Sequence, residues 1–302
     1  MIVFDHVPVL LDQVVEALQP ADGEVFVDCT LGGGGHAAAL LAAADCSVMG
    51  IDRDPAALEA ATLRCAFAGD RFRAVRGQFS SLQDLLTEAG HDRVDGILAD
   101  VGVSSHQLDT ASRGFSFRHG GPIDMRMDPQ AALSAATLVN TWTETELAEV
   151  IRRYGEERHA RRVARAIVDG RPWSDTAELG AAIARVLGRG KGRIHPATRT
   201  FQGLRIAVND ELQELESLLA ASVHALKAHG RLAIITFHSL EDRIVKQFLA
   251  TQAGKNLPRD PYGNRIGPVH FSLSKPVTPA DSDPNPRARS ARLRAARRLP
   301  WN

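Results

Sequence analysis

Four short apolar runs between Glu24 and Asp100, set apart by helix-like segments and turns, constrain this chain more than any other feature. They are Glu24-Val25-Phe26-Val27-Asp28-Cys29-Thr30, Ser47-Val48-Met49-Gly50-Ile51, Phe72-Arg73-Ala74-Val75 and Gly96-Ile97-Leu98-Ala99. The first leads through Gly32-Gly33-Gly34-Gly35 into an alanine-rich helix, His36 to Ala44. The second ends on Asp52 and is followed by a helix from Pro55 to about Phe67, with proline in the first turn where its missing N–H costs nothing. Strands alternating with helices at this spacing form a mainly parallel sheet, because parallel neighbours need a crossover that a helix supplies. The expected fold class is therefore α/β and Rossmann-like. A helix precedes the sheet, since Val7, Leu10, Leu11, Val14, Val15 and Leu18 recur at spacings of three and four.

The alternation stops near Gln107. A loop from Arg113 to Asp128 with Gly114, Gly120, Gly121 and Pro122 follows, then helical patterns, with no strand signal before Leu232. The division expected is a first part of the sheet domain at 1–108, an inserted helical domain at 109–205, and the rest of the sheet domain at 206–302. In the last part, a helix through Val208, Leu212, Leu215, Leu219, Val223 and Leu226 leads to a strand, Leu232–Phe237. Ser239 and Asp242 then form an expected capping box for the next helix.

Composition supports a folded protein: 302 residues, 44% hydrophobic and 24% charged, lie well within the globular range. There is no apolar run long enough to span a bilayer, and the first residues lack a basic stretch ahead of an apolar one, so a cytoplasmic location without membrane attachment is expected. Cys29, Cys46 and Cys65 are odd in number and have no CxxC spacing, which points to buried structural thiols. The chain's 36 basic and 36 acidic side chains cancel, yet they are segregated: residues 1–110 hold 6 Lys/Arg against 17 Asp/Glu, and 111–302 hold 30 against 19. From Ile151 to Ile206 the count is 13 against 5, and Pro284–Asn302 has six arginines and no acid. One part is suited to a small ligand and another to a polyanion, although solvated faces give the same segregation.

In an open parallel sheet, ligands sit beyond the carboxyl ends of the strands. Glycines after the first strand allow close backbone approach, and the N–H groups of the next helix point at the ligand. Asp52, 20 residues after Gly32, is placed to accept hydrogen bonds from both hydroxyls of a ribose. Phe79 could lie against an adenine, and Asp100 would face the reacting end. Each residue also has a structural reading. The glycine run contains GxGxxA, which equally suits a dinucleotide, or it is a plain turn. Asp52 could cap the next helix with Asp54, Phe79 could be core, His36 a cap and Asp100 a turn former. Jointly they describe an adenosine-containing cofactor. A nicotinamide-dependent oxidoreductase is one competing class, but it requires a second mononucleotide-binding half; a non-catalytic RNA-binding factor is another.

The strings Asp28-Cys29-Thr30-Leu31-Gly32-Gly33-Gly34-Gly35-His36, Ile51-Asp52-Arg53-Asp54-Pro55, Asp100-Val101-Gly102-Val103-Ser104-Ser105, His195-Pro196-Ala197-Thr198-Arg199-Thr200-Phe201-Gln202 and Phe237-His238-Ser239-Leu240-Glu241-Asp242-Arg243 resemble the bacterial RsmH (MraW) family of ribosomal RNA methyltransferases. With His6–Leu11, Arg113–Phe117, Asp124–Asp128 and Tyr154–Arg158, the resemblance covers nearly the whole chain in order. It implies a class I S-adenosyl-L-methionine-dependent methyltransferase fold, with the donor methylating the exocyclic N4 of a cytidine in the decoding region of 16S rRNA. The small ribosomal subunit is then the partner, with no DNA expected and no metal demanded. Carried over by position, Gly34, Gly35, His36, Asp52, Phe79, Asp100 and Gln107 form the implied cofactor-binding set, and Asp100 is also the candidate catalytic residue. The family usually has proline where this chain has His106 and phenylalanine where it has Leu31. At the fourth strand end this chain carries Val101-Gly102-Val103-Ser104-Ser105 in place of the two prolines and aromatic of other amino-methyltransferases. For RNA contact, the candidates are the helical face Arg158, Arg161, Arg162, Arg165 and the arginines of the C-terminal tail.

Overall fold

The computed structural model describes residues 8–188, 195–255, 257–264, 266–280, 285 and 288–300. Two compact units result, residues 1–102 with 212–302, and residues 103–211. Val7 and Arg287, which figure in the expectations above, lie outside the described residues.

The first unit is built on one seven-stranded sheet in the order β3-β2-β1-β4-β5-β7-β6. The strands are β1 (Val25–Asp28), β2 (Ser47–Asp52), β3 (Phe72–Arg76), β4 (Val94–Asp100), β5 (Leu226–Thr236), β6 (Phe271–Leu273) and β7 (Arg292–Arg298). β1 to β5 pair in parallel, and β7 runs antiparallel to both β5 and β6. Both faces are covered, so successive residues of a strand enter different cores. Phe26, Val48, Leu98, Ala233 and Ile235 pack on one side with α1 (Leu11–Leu18), α2 (Gly35–Ala43) and α3 (Pro55–Arg64). Val27, Ile97, Ala99, Leu232 and Ile234 pack on the other with α4 (Leu82–Glu88), α11 (Glu211–Ala225) and α12 (Ser239–Gln252). The chain winds outward from β1 through β2 to β3, then returns to β4 on the other side of β1. This places the topological switch point, where ligands bind such sheets, between β1 and β4. The antiparallel β7, lodged between β5 and β6, departs from the all-parallel 3-2-1-4-5-6 order of a dinucleotide-binding domain.

Several local expectations are corrected. α1 starts at Leu11, after Leu10 in the left-handed region. α11 ends at Ala225, and β5 takes over from Leu226, with a register shift opposite Val94–Gly96 and His229 at φ 67. The cap of α12 is His238 with Glu241, one residue ahead of the expected Ser239 and Asp242. Within the arginine tail, Arg292–Arg298 form β7, so this part of it is no free arm. Leu293, Ala295 and Ala296 are buried there, and Arg298 is only 1% exposed. The Arg298 guanidinium donates to the carbonyls of Val223, His270 and Leu299, each at 3.1 Å. Arg294 and Arg292 hold the Asp242 carboxylate, at 2.7 and 3.0 Å. Arg298→Ala is expected to destabilise the protein by about 3 kcal/mol or more, since it empties a buried volume and strands carbonyls. Exposed Arg297→Ala should stay within about 0.5 kcal/mol of wild type. Urea unfolding checks both.

The second unit is helical: α5 (Ser105–Asp109), α6 (Ala135–Thr141), α7 (Glu144–Arg153), α8 (Ala160–Asp169), α9 (Thr176–Leu187) and α10 (Thr198–Asn209). Leu138, Leu147, Ile151, Val163, Ile167, Leu179, Phe201 and Leu204 fill its core, joined by Val103 and Leu108 at one end of the segment and Val208 at the other. These end residues explain why the unit spans Val103–Glu211, wider than the 109–205 read from the sequence. The loop from Arg113 to Asp128 is tied down. Arg113 donates to the carbonyls of Arg126 and Met127, Arg126 grips Asp124 at 2.7 and 2.8 Å, and Asn209 bonds both Met125 and Met127. Its glycines serve close packing: a Cβ on Gly114 would fall 2.2 Å from the Pro122 carbonyl oxygen, and one on Gly121 would fall 2.3 Å from that of Ala111.

Candidate active site

Three of the strands meeting around the switch point end in an acid: β1 in Asp28, β2 in Asp52 and β4 in Asp100. A strand flanked by covered faces keeps its apolar alternation until it emerges at the edge, and there polar residues begin. The turn after β1 ties these ends together. Thr30 donates its N–H to Asp28 Oδ1 at 3.1 Å and its hydroxyl to the same oxygen, while the hydroxyl oxygen accepts the N–H of Asp100. Gly32, at φ 49, donates its N–H to Asp52 Oδ2 at 2.8 Å, and Asp54 donates to Asp52 Oδ1 at 2.9 Å. Asp54 itself caps α3 by accepting from Ala56. Asp52 therefore clamps the glycine turn to the end of β2. Each of its oxygens takes one backbone N–H, leaving carboxylate lone pairs on its partly exposed side for further donors.

Gly34, at φ 74, starts α2 without any side-chain cap, so first-turn N–H groups are available there. Packing demands the glycines as well. A Cβ on Gly34 would come 2.9 Å from that of Ala61, and one on Gly35 would come 2.3 Å from Pro8 Cγ. His36, 6% exposed, turns Nε2 to the Val9 carbonyl at 3.1 Å, which leaves Nδ1 facing Asp100 Oδ2 at 4.0 Å. After β3, Phe79 packs partly buried against the core, with the Arg53 guanidinium 5.9 Å from its ring centre. Gln107 belongs to the helical unit. It is buried at the third position of α5, with its backbone N–H bonded to Ser104 Oγ and its Oε1 accepting from the Ser104 N–H.

Two acids of this site escaped the sequence reading. Asp28 is 1% exposed, and Glu241 is fully buried beyond β5, accepting from the N–H groups of Phe237 and His238. Both carried a signal: Asp28 ends its strand as Asp52 and Asp100 do, and Glu241 stands three residues after a residue able to cap. Burial pushes the Asp28 carboxyl up to about 7, helped by the nearby Asp52. Burial raises Asp52 too, and it raises Asp100 strongly, with Asp28 and Glu241 adding like charge. Oδ2 of Asp28 and Oδ1 of Asp100 are buried with no hydrogen-bond partner. Acids pressed together out of water, with acceptor oxygens left over, suit a ligand bringing positive charge and donors. Beside them, Cys29, Cys46 and Cys65 are free and buried, and burial pushes the Cys65 thiol up to about 11, so these are unreactive thiols.

The sequence pattern of the MraW methylase family matches residues 3–299. The chain belongs to this family. A ribosomal RNA small subunit methyltransferase H of Geobacter sulfurreducens is 51% identical, with 98% of this chain and 99% of that protein aligned. The proteins of the same name from Rhodospirillum centenum and Carboxydothermus hydrogenoformans are 50% and 46% identical, with 97% and 98% of this chain and 92% and 98% of theirs aligned. A methylase of this family needs a donor site and an acceptor site. Of the residues expected at the donor site, Gly34, Gly35, His36, Asp52 and Asp100 gather at the carboxyl ends of β1, β2 and β4, and Phe79 follows β3. Among the described residues no helix is long and apolar enough to cross a membrane.

Proposed function

We propose that this methyltransferase carries the methyl group of S-adenosyl-L-methionine to the exocyclic N4 of a cytidine in the decoding region of 16S rRNA, acting in the cytoplasm on the small ribosomal subunit. Relatives named ribosomal RNA small subunit methyltransferase H, about half identical from end to end, support methylation of small-subunit rRNA. The fit of the site supports the donor. A sulfonium and an ammonium would relieve the crowding of Asp28, Asp52, Asp100 and Glu241, and the orphaned oxygens of Asp28 and Asp100 are acceptors for such a ligand. Gly34, Gly35 and His36 at the start of α2, Asp52 with its remaining lone pairs toward a ribose, and Phe79 toward an adenine would hold it.

The donor supplies an activated methyl on a sulfonium, already a strong electrophile. The protein's task lies with the acceptor, because the N4 lone pair of cytosine is delocalised into the ring. Asp100 would accept a hydrogen bond from N4–H, turn the lone pair toward the methyl group, and take up the proton that N4 loses as the N–C bond forms and the carbon–sulfur bond breaks, the sulfur leaving as a neutral thioether. Burial and like charge make it a stronger base than an ordinary carboxylate. The His36 imidazole stands beside this carboxylate, with Nδ1 4.0 Å from Asp100 Oδ2.

A base reaches such a pocket only unpaired, flipped out or taken from a loop, with its neighbours' phosphates held elsewhere. We assign RNA recognition to the helical unit. Arg158 and the α8 residues Arg161, Arg162 and Arg165 are exposed, while Ala160, Val163, Ala164 and Ile167 are buried opposite. Glu157 is buried and accepts the His159 N–H at 2.8 Å. Arg165 lies 3.4 Å from Glu144. Incubation with labelled S-adenosyl-L-methionine and small subunits lacking native modification should place label in N4-methylcytidine at one site. Label in another nucleoside, or none with the donor bound, overturns the proposal.

A further inference from the structure

Beyond β4, the same edge of the sheet continues to the end of β5, and there a cavity of about 530 Å³ opens between the start of α12 and the start of β7. His238, Ser239, Asp242, Arg243, Lys246, Ser290 and Arg292 line it, together with Thr236 and Phe237. Phe237 and His238 also hold Glu241 through their N–H groups, so the cavity adjoins the donor site. Its one acid, Asp242, is held by Arg292 and by both ends of the Arg294 guanidinium, at 3.0, 2.7 and 3.1 Å. Those cations keep its carboxyl below the usual range. Among the described residues that line it, the cations Arg243, Lys246 and Arg292 outnumber the one acid, and Arg294 pairs with that acid. The hydroxyl of Ser290 supplies a neutral donor. Exposed Lys246 and Arg243 sit one turn apart on α12, as a pair of residues three positions apart does.

We propose that this cavity is a phosphate site for the RNA strand, gripping the backbone next to the nucleotide under modification. The inference rests on the reading of this chain as an RNA methyltransferase and extends it to a surface of the sheet unit. Position selects the ligand. Neighbouring strands are about 4.8 Å apart, so the end of β5 and the start of β7 lie about 5–10 Å along the edge from Asp100. A base delivered to Asp100 leaves its flanking phosphates at about that remove, outside the base pocket. A phosphate also suits the donors present: guanidinium and ammonium groups bind its oxygens by charge-assisted bonds, and a hydroxyl completes the shell. The arrangement explains why β7 carries arginines at all. Arg294 and Arg298 are structural, whereas Arg292 is aligned by Asp242 with half its surface left open.

The test uses the full chain, with Lys246→Gln and the double variant Arg243→Gln/Lys246→Gln. Binding of a labelled single-stranded RNA oligonucleotide is followed by anisotropy against salt concentration. Each lost phosphate contact should flatten the log–log salt slope by about 0.7 and weaken binding several-fold irrespective of sequence. With small subunits as substrate, KM should rise several-fold while kcat and donor affinity hold. Superimposable salt slopes for wild type and double variant overturn the phosphate site. Flattened slopes with no methyl transfer from wild type to subunits keep the site and overturn the substrate reading instead.

Discussion

Replacing Asp100 with asparagine should lower single-turnover methyl transfer by about 10²- to 10³-fold while weakening donor binding by a smaller factor, about tenfold. The substitution keeps size and shape. It also keeps the backbone bond from residue 100 to the Thr30 hydroxyl, which fixes the turn after β1. Lost are the negative charge that accepts the N4 proton and one of the two acceptor oxygens. The wild-type rate should climb with pH as Asp100 ionises, because its carboxyl is held well above the usual range by burial and by Asp28 and Glu241, and only the ionised form takes a proton. The asparagine variant should lack that rising limb. Rapid-quench transfer to small subunits, together with calorimetry of S-adenosylhomocysteine, separates the two roles. Affinity falling as far as turnover reassigns Asp100 to donor binding, and an unchanged pH limb assigns the base elsewhere.

β1, β2 and β4 were legible because their apolar runs are short, contiguous and closed by turn chemistry, and both faces of each strand are buried; β3, at the sheet edge, showed instead as alternation of apolar residues with exposed arginines. β7 was not legible. Arg292-Leu293-Arg294-Ala295-Ala296-Arg297-Arg298 reads as a charge run, and only its small apolar residues alternate. The fold uses it as a strand because arginine stems pack like aliphatic chains and the guanidinium of Arg298 satisfies three carbonyls. Such partners lie 28 and 75 residues away for His270 and Val223, beyond any local pattern. The site divides in the same manner. Asp52 and Asp100 could be found from strand ends, and so could the glycine turn. That Gly34 and Gly35 are also demanded by Ala61 and Pro8 could not, since those contacts come from other elements. Glu241 was hidden by the cap it makes: reading Ser239 as the first residue of the box displaced the acid by one position and pointed at Asp242, whose partners are the arginines of β7.

Asp28 should make stability depend on pH in a direction opposite to most aspartates. Its folded-state carboxyl is raised from 3.8 to about 7, so the folded chain holds a proton that the unfolded chain releases. Stabilisation from this proton is complete below about pH 4 and is lost as pH rises through about 7. A shift of three units corresponds to roughly 4 kcal/mol at most, since like-charged neighbours titrate together and share it. Asp28→Asn keeps the oxygen that accepts both Thr30 donors and removes the titration. Resistance of wild type to urea should therefore fall by a few kcal/mol between pH 5 and pH 9, and the variant should lose less, keeping the part that comes from Asp52 and Asp100. A cationic donor binding among ionised acids must reverse part of the loss, so added S-adenosyl-L-methionine should stabilise wild type more at pH 8 than at pH 5. The variant should show a smaller difference. Parallel pH curves for the two proteins would mean that Asp28 stays ionised in the fold, and would place the site's positive complement in the protein rather than in the ligand.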